Sequence, residues 1–101
     1  MKVYRDRVEI DARLKGYQCP TGFEIYEKTG ALKGWVVAIL DTFITESWFF
    51  RKFASRAEAD EYCKQEVSSD DTVIIGIVYG SNPSKNDRHA WFVSTVMERG
   101  N

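Results

Sequence analysis

The sequence predicts an α+β fold. The expected architecture is an antiparallel sheet of about five to six strands, flat or strongly curled, with one helix packed on one face, in the order β-β-β-β-α-β-β. Three observations carry this expectation. Six short segments show the alternating or wholly apolar pattern of strands. One segment, opening at Ser55, has helical spacing behind a capping signal. The connections are short, and short connections between sequence neighbours imply antiparallel pairing.

The segments follow in order. Val8, Ile10, Ala12 and Leu14 alternate with Arg7, Glu9, Asp11, Arg13 and Lys15, which is the period of a half-buried strand. Its outer face carries both charge signs, as a solvated edge strand does. Residues 16–22 (GYQCPTG) read as a loop, rich in glycine and interrupted by Pro20. Phe23 to Glu27 alternates again and is expected as a second strand, closed by a turn at Lys28-Thr29-Gly30.

The stretch from Trp35 to Cys63 organises the rest. Trp35 to Leu40 has no polar residue, so it reads as a strand covered on both faces. Asp41 to Glu46 is the connection, and Phe43 and Ile44 within it are expected to tuck under the sheet. In the next strand Trp48, Phe50 and Lys52 alternate with Phe49, Arg51 and Phe53, which puts aromatic side chains on both faces. Ser55 and Glu58 then form an S-x-x-E capping box. Behind it Ala59, Tyr62, Cys63 and Val67 share one helical face, expected against the sheet.

Ser68 to Asp71 ends the helix. Thr72 to Tyr79 is a second buried strand, with Gly76 marking a gap for a neighbouring ring or a bulge. Gly80 to His89 is a polar loop, and Ala90 to Glu98 is the last strand. Strict alternation there sets Trp91, Val93 and Thr95 on one face and Phe92, Ser94 and Val96 on the other. Arg99 to Asn101 reads as a frayed tail.

Bulk properties narrow the function. The chain has 101 residues and is expected to form a single domain over 1–101. With 14 basic and 15 acidic side chains the net charge is −1, which lacks the broad cationic footprint of a general nucleic-acid binder. Near-neutrality protects weakly against self-association, so a homodimer is an allowed state. Cys19 and Cys63 are too few for a disulfide framework and are expected free. The opening MKVYRDRVEI has charges where a signal peptide has its apolar segment, and no apolar run has the length of a membrane span, so the expected location is cytoplasmic with no membrane partner.

No stretch matches a catalytic or cofactor-binding motif, and no cofactor is expected. His89 is the only histidine, which excludes a paired-histidine metal site. A Cys-His nucleophile would need Cys19 or Cys63 beside it, with a third orienting group that the spacing does not suggest. Polar and cationic residues at 81–89, including Lys85 and Arg88, could bind phosphate or an acidic patch, although loops are polar for ordinary reasons.

The composition does point somewhere. The chain carries three Trp, five Tyr and six Phe, more rings than one helix of this size can shelter. The expected role is therefore a small non-enzymatic protein-binding module, an inhibitor or adaptor of the phage or mobile-element type that acts on a host protein complex. Trp48, Phe50, Trp91 and Arg88 are its expected anchors, since Trp and Arg dominate interface energetics. The alternative is nucleic-acid binding through the aromatic and basic strand bearing Arg51 and Lys52, with the cationic loop residues Lys85 and Arg88. A third reading is a small-molecule or enzymatic pocket between helix and sheet.

Overall fold

The computed structural model describes residues 2–41, 47–67, 73–81 and 91–98. Its elements are β1 (Lys2–Tyr4), α1 (Arg7–Arg13), α2 (Gly22–Thr29), β2 (Lys33–Asp41), β3 (Trp48–Phe53), α3 (Arg56–Val67), β4 (Val73–Ser81) and β5 (Trp91–Glu98). The five strands form one antiparallel sheet in the order β1-β5-β4-β2-β3. The α+β class and the antiparallel sheet match the sequence reading, whereas the element order and the number of helices do not. The connection holding Phe43 and Ile44, the turn after α3, the 82–89 loop and the tail lie outside the described residues.

Two segments expected as strands are helices. The Val8–Leu14 segment forms α1 because Asp6 caps it, its carboxylate accepting from the amides of Val8 at 2.9 Å and Glu9 at 3.4 Å. Ile10 and Leu14 stand four apart, so one helical face carries both into the core while Val8, on the opposite side, is 76% exposed. Arg7 donates to the Val93 carbonyl at 3.1 Å, and Arg13 pairs with Glu98, which ties α1 to β5.

The Phe23–Glu27 segment lies within α2. Thr21 caps its start by accepting from the Glu24 amide at 3.1 Å, and Gly30 closes it in the left-handed region at φ 72°, its amide donating to Tyr26 O at 2.8 Å. The third helix starts as expected, with the Ser55 hydroxyl accepting from the Glu58 amide at 3.3 Å. The Glu58 carboxylate accepts from the Ala54 amide at 3.2 Å, one residue before the usual capping-box partner.

The sheet is covered on both faces. Ile10, Leu14 and Ile25 from α1 and α2 pack on Val36, Leu40 and Val78 of one face, with Trp91 and Val96 in the same core. Ala59 and Cys63 of α3 pack on Val37, Ile75, Ile77 and Met97 of the other face. The expectation of one helix on one face thus gives way to a layer of helix on each side. β3 and β4 both run antiparallel to β2 and flank it, so they are parallel to each other, and α3 is the crossover between them.

β5 departs from strict alternation. Ile77 pairs with Thr95 but Val78 pairs with Val93, which leaves Ser94 as the extra residue of a bulge. The Ser94 hydroxyl donates to Ile77 O at 3.0 Å. Beyond the bulge the faces exchange: Trp91 and Val93 join Val96 on the α1/α2 side, and Phe92 joins Thr95 and Met97 on the α3 side. Among the described residues no ring fills the space at Gly76, where an added Cβ would meet Val93 Cγ1 at an ordinary 3.5 Å.

The helix assignment of residues 7–13 makes a direct test. Val8→Glu should change the unfolding free energy by no more than about 0.5 kcal/mol, as surface substitutions do. Ile10→Ala should cost about 2–5 kcal/mol. Urea denaturation of both variants measures this, and equal large losses would restore the strand reading, in which the two side chains share the core face.

Candidate functional site

β4 has nine residues and so extends ~30 Å at ~3.4 Å per residue, whereas the twelve residues of α3 extend only ~18 Å at ~1.5 Å per residue. A helix of that length cannot cover the strands from end to end. The uncovered end lies beyond the α3 N-terminus, and three rings stand there in a row.

Trp35 of β2 pairs with Tyr79 of β4, and Tyr79 pairs with Phe92 of β5. The Trp35 and Tyr79 rings lie 4.2 Å apart between centroids, with planes 34° apart. Phe92 meets Tyr79 edge-on at 6.0 Å and 81°. Tyr79 is 41% exposed and Phe92 50% exposed, while Trp35 is half-buried. These cross-strand aromatic contacts contribute modestly to sheet stability, of order 0.5–1.5 kcal/mol each.

Arg56 joins this row to the helix. Its guanidinium lies 5.4 Å from the Trp35 ring centroid. Its Nη2 donates to the Thr95 hydroxyl at 2.6 Å, and Asp60 holds its Nε at 3.8 Å. Thr95 is buried and faces α3 opposite Ile77, and the Ser94 bulge beside it turns the ring of Phe92 to the same side.

The row borders an open groove of about 610 Å³, walled by Trp35, Phe53, Tyr79 and Phe92, with Lys33 and Ser81 at its rim and Gly34, Ala54 and Gly80 completing it. Gly34 sits at φ 119°, a conformation that favours glycine at the entry to β2. No carboxylate lines this groove among the described residues. Lys33 is exposed and carries no ion pair among them.

The residues expected from the sequence to bind a partner are not brought together here. Trp91 is 7% exposed within the α1/α2-side core, and its buried Nε1–H has no partner among the described residues. Trp48 and Phe50 are half-buried against the same core, and Trp48 Nε1–H donates to Gln18 O at 2.7 Å. Arg51 and Lys52 are exposed on β3, which is an edge strand, beside Phe49 at 58% exposure. Burial pushes the Tyr62 hydroxyl above its usual range, Glu66 adds to the shift, and Arg51 pulls part of it back. Lys85 and Arg88, like His89, lie outside the described residues.

The groove residues Tyr79 and Phe92 escaped the sequence reading. Tyr79 ends an apolar run with nothing to mark it as exposed, and the face of Phe92 depends on the bulge.

Both cysteines are free, Cys19 exposed and Cys63 buried under α3. Burial pushes the Cys63 thiol up to about 12, with Asp60 and Glu66 adding to the shift. Among the described residues no group of three His, Cys, Asp or Glu side chains could hold a metal, and no helix is long and apolar enough to cross a membrane.

Compared with known proteins, the chain matches no family model, no curated protein and no solved structure.

The Cys63 environment has a measurable consequence. The unfolded thiol ionises near 9, whereas the folded chain keeps it protonated to about 12. The folded state therefore holds the extra proton in that window, and stability falls as pH rises through it. Urea titrations at a series of pH values should show this component in the wild type and its loss in Cys63→Ala. Identical alkaline slopes would contradict it. At pH 8 iodoacetamide should label Cys19 and leave Cys63 unmodified in the native chain, read by mass spectrometry.

Proposed function

We propose that the chain is a small protein-binding module, an adaptor or inhibitor that acts by occupying a surface of another protein and performs no chemistry of its own. One observation carries this reading: the in-register row Trp35–Tyr79–Phe92, whose last two rings are roughly half exposed beside a groove. Covering a large apolar side chain completely yields about 1.5–3 kcal/mol, and rings of this type are the usual anchors of interfaces. Exposing Tyr79 and Phe92 costs the fold little, since neither ring belongs to either core, while Trp35 at the other end of the row packs on the α3-side core.

Nucleic-acid binding is the second reading, favoured by Arg51 and Lys52, which stand exposed beside Phe49 on β3. The net charge of −1 weighs against it, as does the packing of Trp35 on Tyr79, which covers ring faces that bases would need for stacking.

The Tyr79→Ala/Phe92→Ala double variant tests the proposal. Its stability should drop by about 1–3 kcal/mol, because only two ring–ring contacts are lost. A protein retained in stoichiometric amount by the immobilised wild-type chain from cell extract should be lost from the double variant. Retention of the same protein by both forms would move the interface elsewhere. Salt-sensitive capture of labelled oligonucleotide, with no protein retained, would replace this reading with the second.

A further inference from the structure

We infer that the groove takes a proline-rich, acidic segment in the polyproline II conformation; this rests on the protein-binding reading and specifies its partner. Three features of the groove lead there.

The first is direction. Phe53, Trp35, Tyr79 and Phe92 belong to β3, β2, β4 and β5, four strands in lateral succession. The groove therefore runs across the sheet, over three strand spacings of ~4.8 Å, or ~14 Å. That matches four to five residues of polyproline II at ~3.1 Å each. A segment lying across the strands cannot add to any ladder, so its own backbone N–H groups would find no partner there. Proline has no N–H to strand, and polyproline II has no internal hydrogen bonds to give up.

The second is hydrogen-bonding character. The side-chain polar groups along the groove are the Trp35 indole N–H, the Tyr79 and Ser81 hydroxyls and the Lys33 ammonium, and neither the indole N–H nor the Tyr79 hydroxyl has a hydrogen-bond partner among the described residues. These groups can all donate, and among the described residues no carboxylate lines the groove to accept. The complementary ligand supplies acceptors: the bare carbonyls of a proline-rich backbone, and carboxylates toward Lys33. Aromatic-lined grooves with such donors are a recurrent solution for docking preformed polyproline II, whose ordering cost is already small.

The third is ring geometry. Trp35 and Tyr79 cover one another, and Phe92 stands edge-on to Tyr79, so the row presents ridges and edges. Pyrrolidine rings pack against ridges of this kind, whereas nucleobases require bare faces.

The test is a nitrogen-15 NMR titration of the whole chain with four probes. The principal probe is a capped peptide of about ten residues, proline with glutamate at every third place, which the threefold period sets along one edge. The others replace proline by alanine, replace glutamate by lysine, or are oligothymidine. The proline–glutamate peptide should shift the Trp35 indole and the Tyr79 and Phe92 amides in a saturable way. The alanine peptide should bind about tenfold more weakly or worse, having regained its N–H groups and lost its preorganisation. Lys33→Glu, an exposed substitution that leaves the fold intact, should reverse the preference between the glutamate and lysine peptides.

Equal binding of the proline and alanine peptides would overturn the polyproline II assignment while leaving the groove a protein-binding site. Perturbation of the ring row by oligothymidine alone would overturn both. Silence toward every probe would overturn this inference, and the capture experiment with the double variant would then decide the broader reading by itself.

Discussion

Val36 and Val37 are neighbours in sequence, point to opposite faces of the sheet, and are both shut off from water. That constraint governs the molecule. β2 and β4 are apolar on both faces, and a sheet whose central strands are apolar on both faces must be covered twice. One helix cannot satisfy it. α1 and α2 precede β2 and close one face, while α3 leaves β3 and returns to β4 over the other. The polar connections reinforce this arrangement: Arg7 and Arg13 fasten α1 to β5, and Trp48 fastens the segment between α1 and α2 to β3. Each fastening joins a helix or its linker to a strand distant in sequence, so each orients a layer that apolar burial alone would leave free to slide.

The apolar runs of β2 and β4, the mixed faces of β3 and the capped start of α3 were legible in the sequence because each depends on local pattern. The first two helices were not, and the reason is instructive. Val8, Ile10, Ala12 and Leu14 satisfy a period of two, but Ile10 and Leu14 alone satisfy a helical spacing of four, and the pattern cannot say which subset is buried. The deciding signal lay just before each segment. Asp6 and Glu9, Thr21 and Glu24, and Ser55 and Glu58 have the same three-residue spacing of cap and acid, and each of the three opens a helix. Weighing that signal at Asp6 and Thr21 as at Ser55 resolves the ambiguity. β1 has three residues and gains its identity only from pairing with β5, a contact across almost the whole chain.

The same double coverage explains why the rings expected at an interface are not the ones on display. Trp48, Phe50 and Trp91 have the chemistry of interface anchors, and an uncovered sheet face would display them. With α1 and α2 present, that face is a core, and these three rings help to fill it. Exposure is instead decided by length: α3 is shorter than the strands, and whatever side chains stand on its side at the start of β2, the end of β4 and the start of β5 meet solvent. No local pattern encodes this, because it depends on where a helix from one part of the chain stops relative to strands from three others.

One residue settles which aromatic side chain stands there. With strict alternation from Thr95 back through β5, the ring facing α3 would be Trp91 and Phe92 would enter the opposite core. Ser94 breaks the count by being passed over in the pairing with β4, and its hydroxyl fixes the break to Ile77 O. The larger indole then fills space under α1 and α2, where burial is worth most, and the smaller ring is left at the groove. Phe92 thus shares the α3 side with Thr95, which holds the Arg56 side chain beside the Trp35 ring. Stability and surface chemistry are thereby coupled through a single inserted residue, as expected of bulges that re-aim side chains at a site.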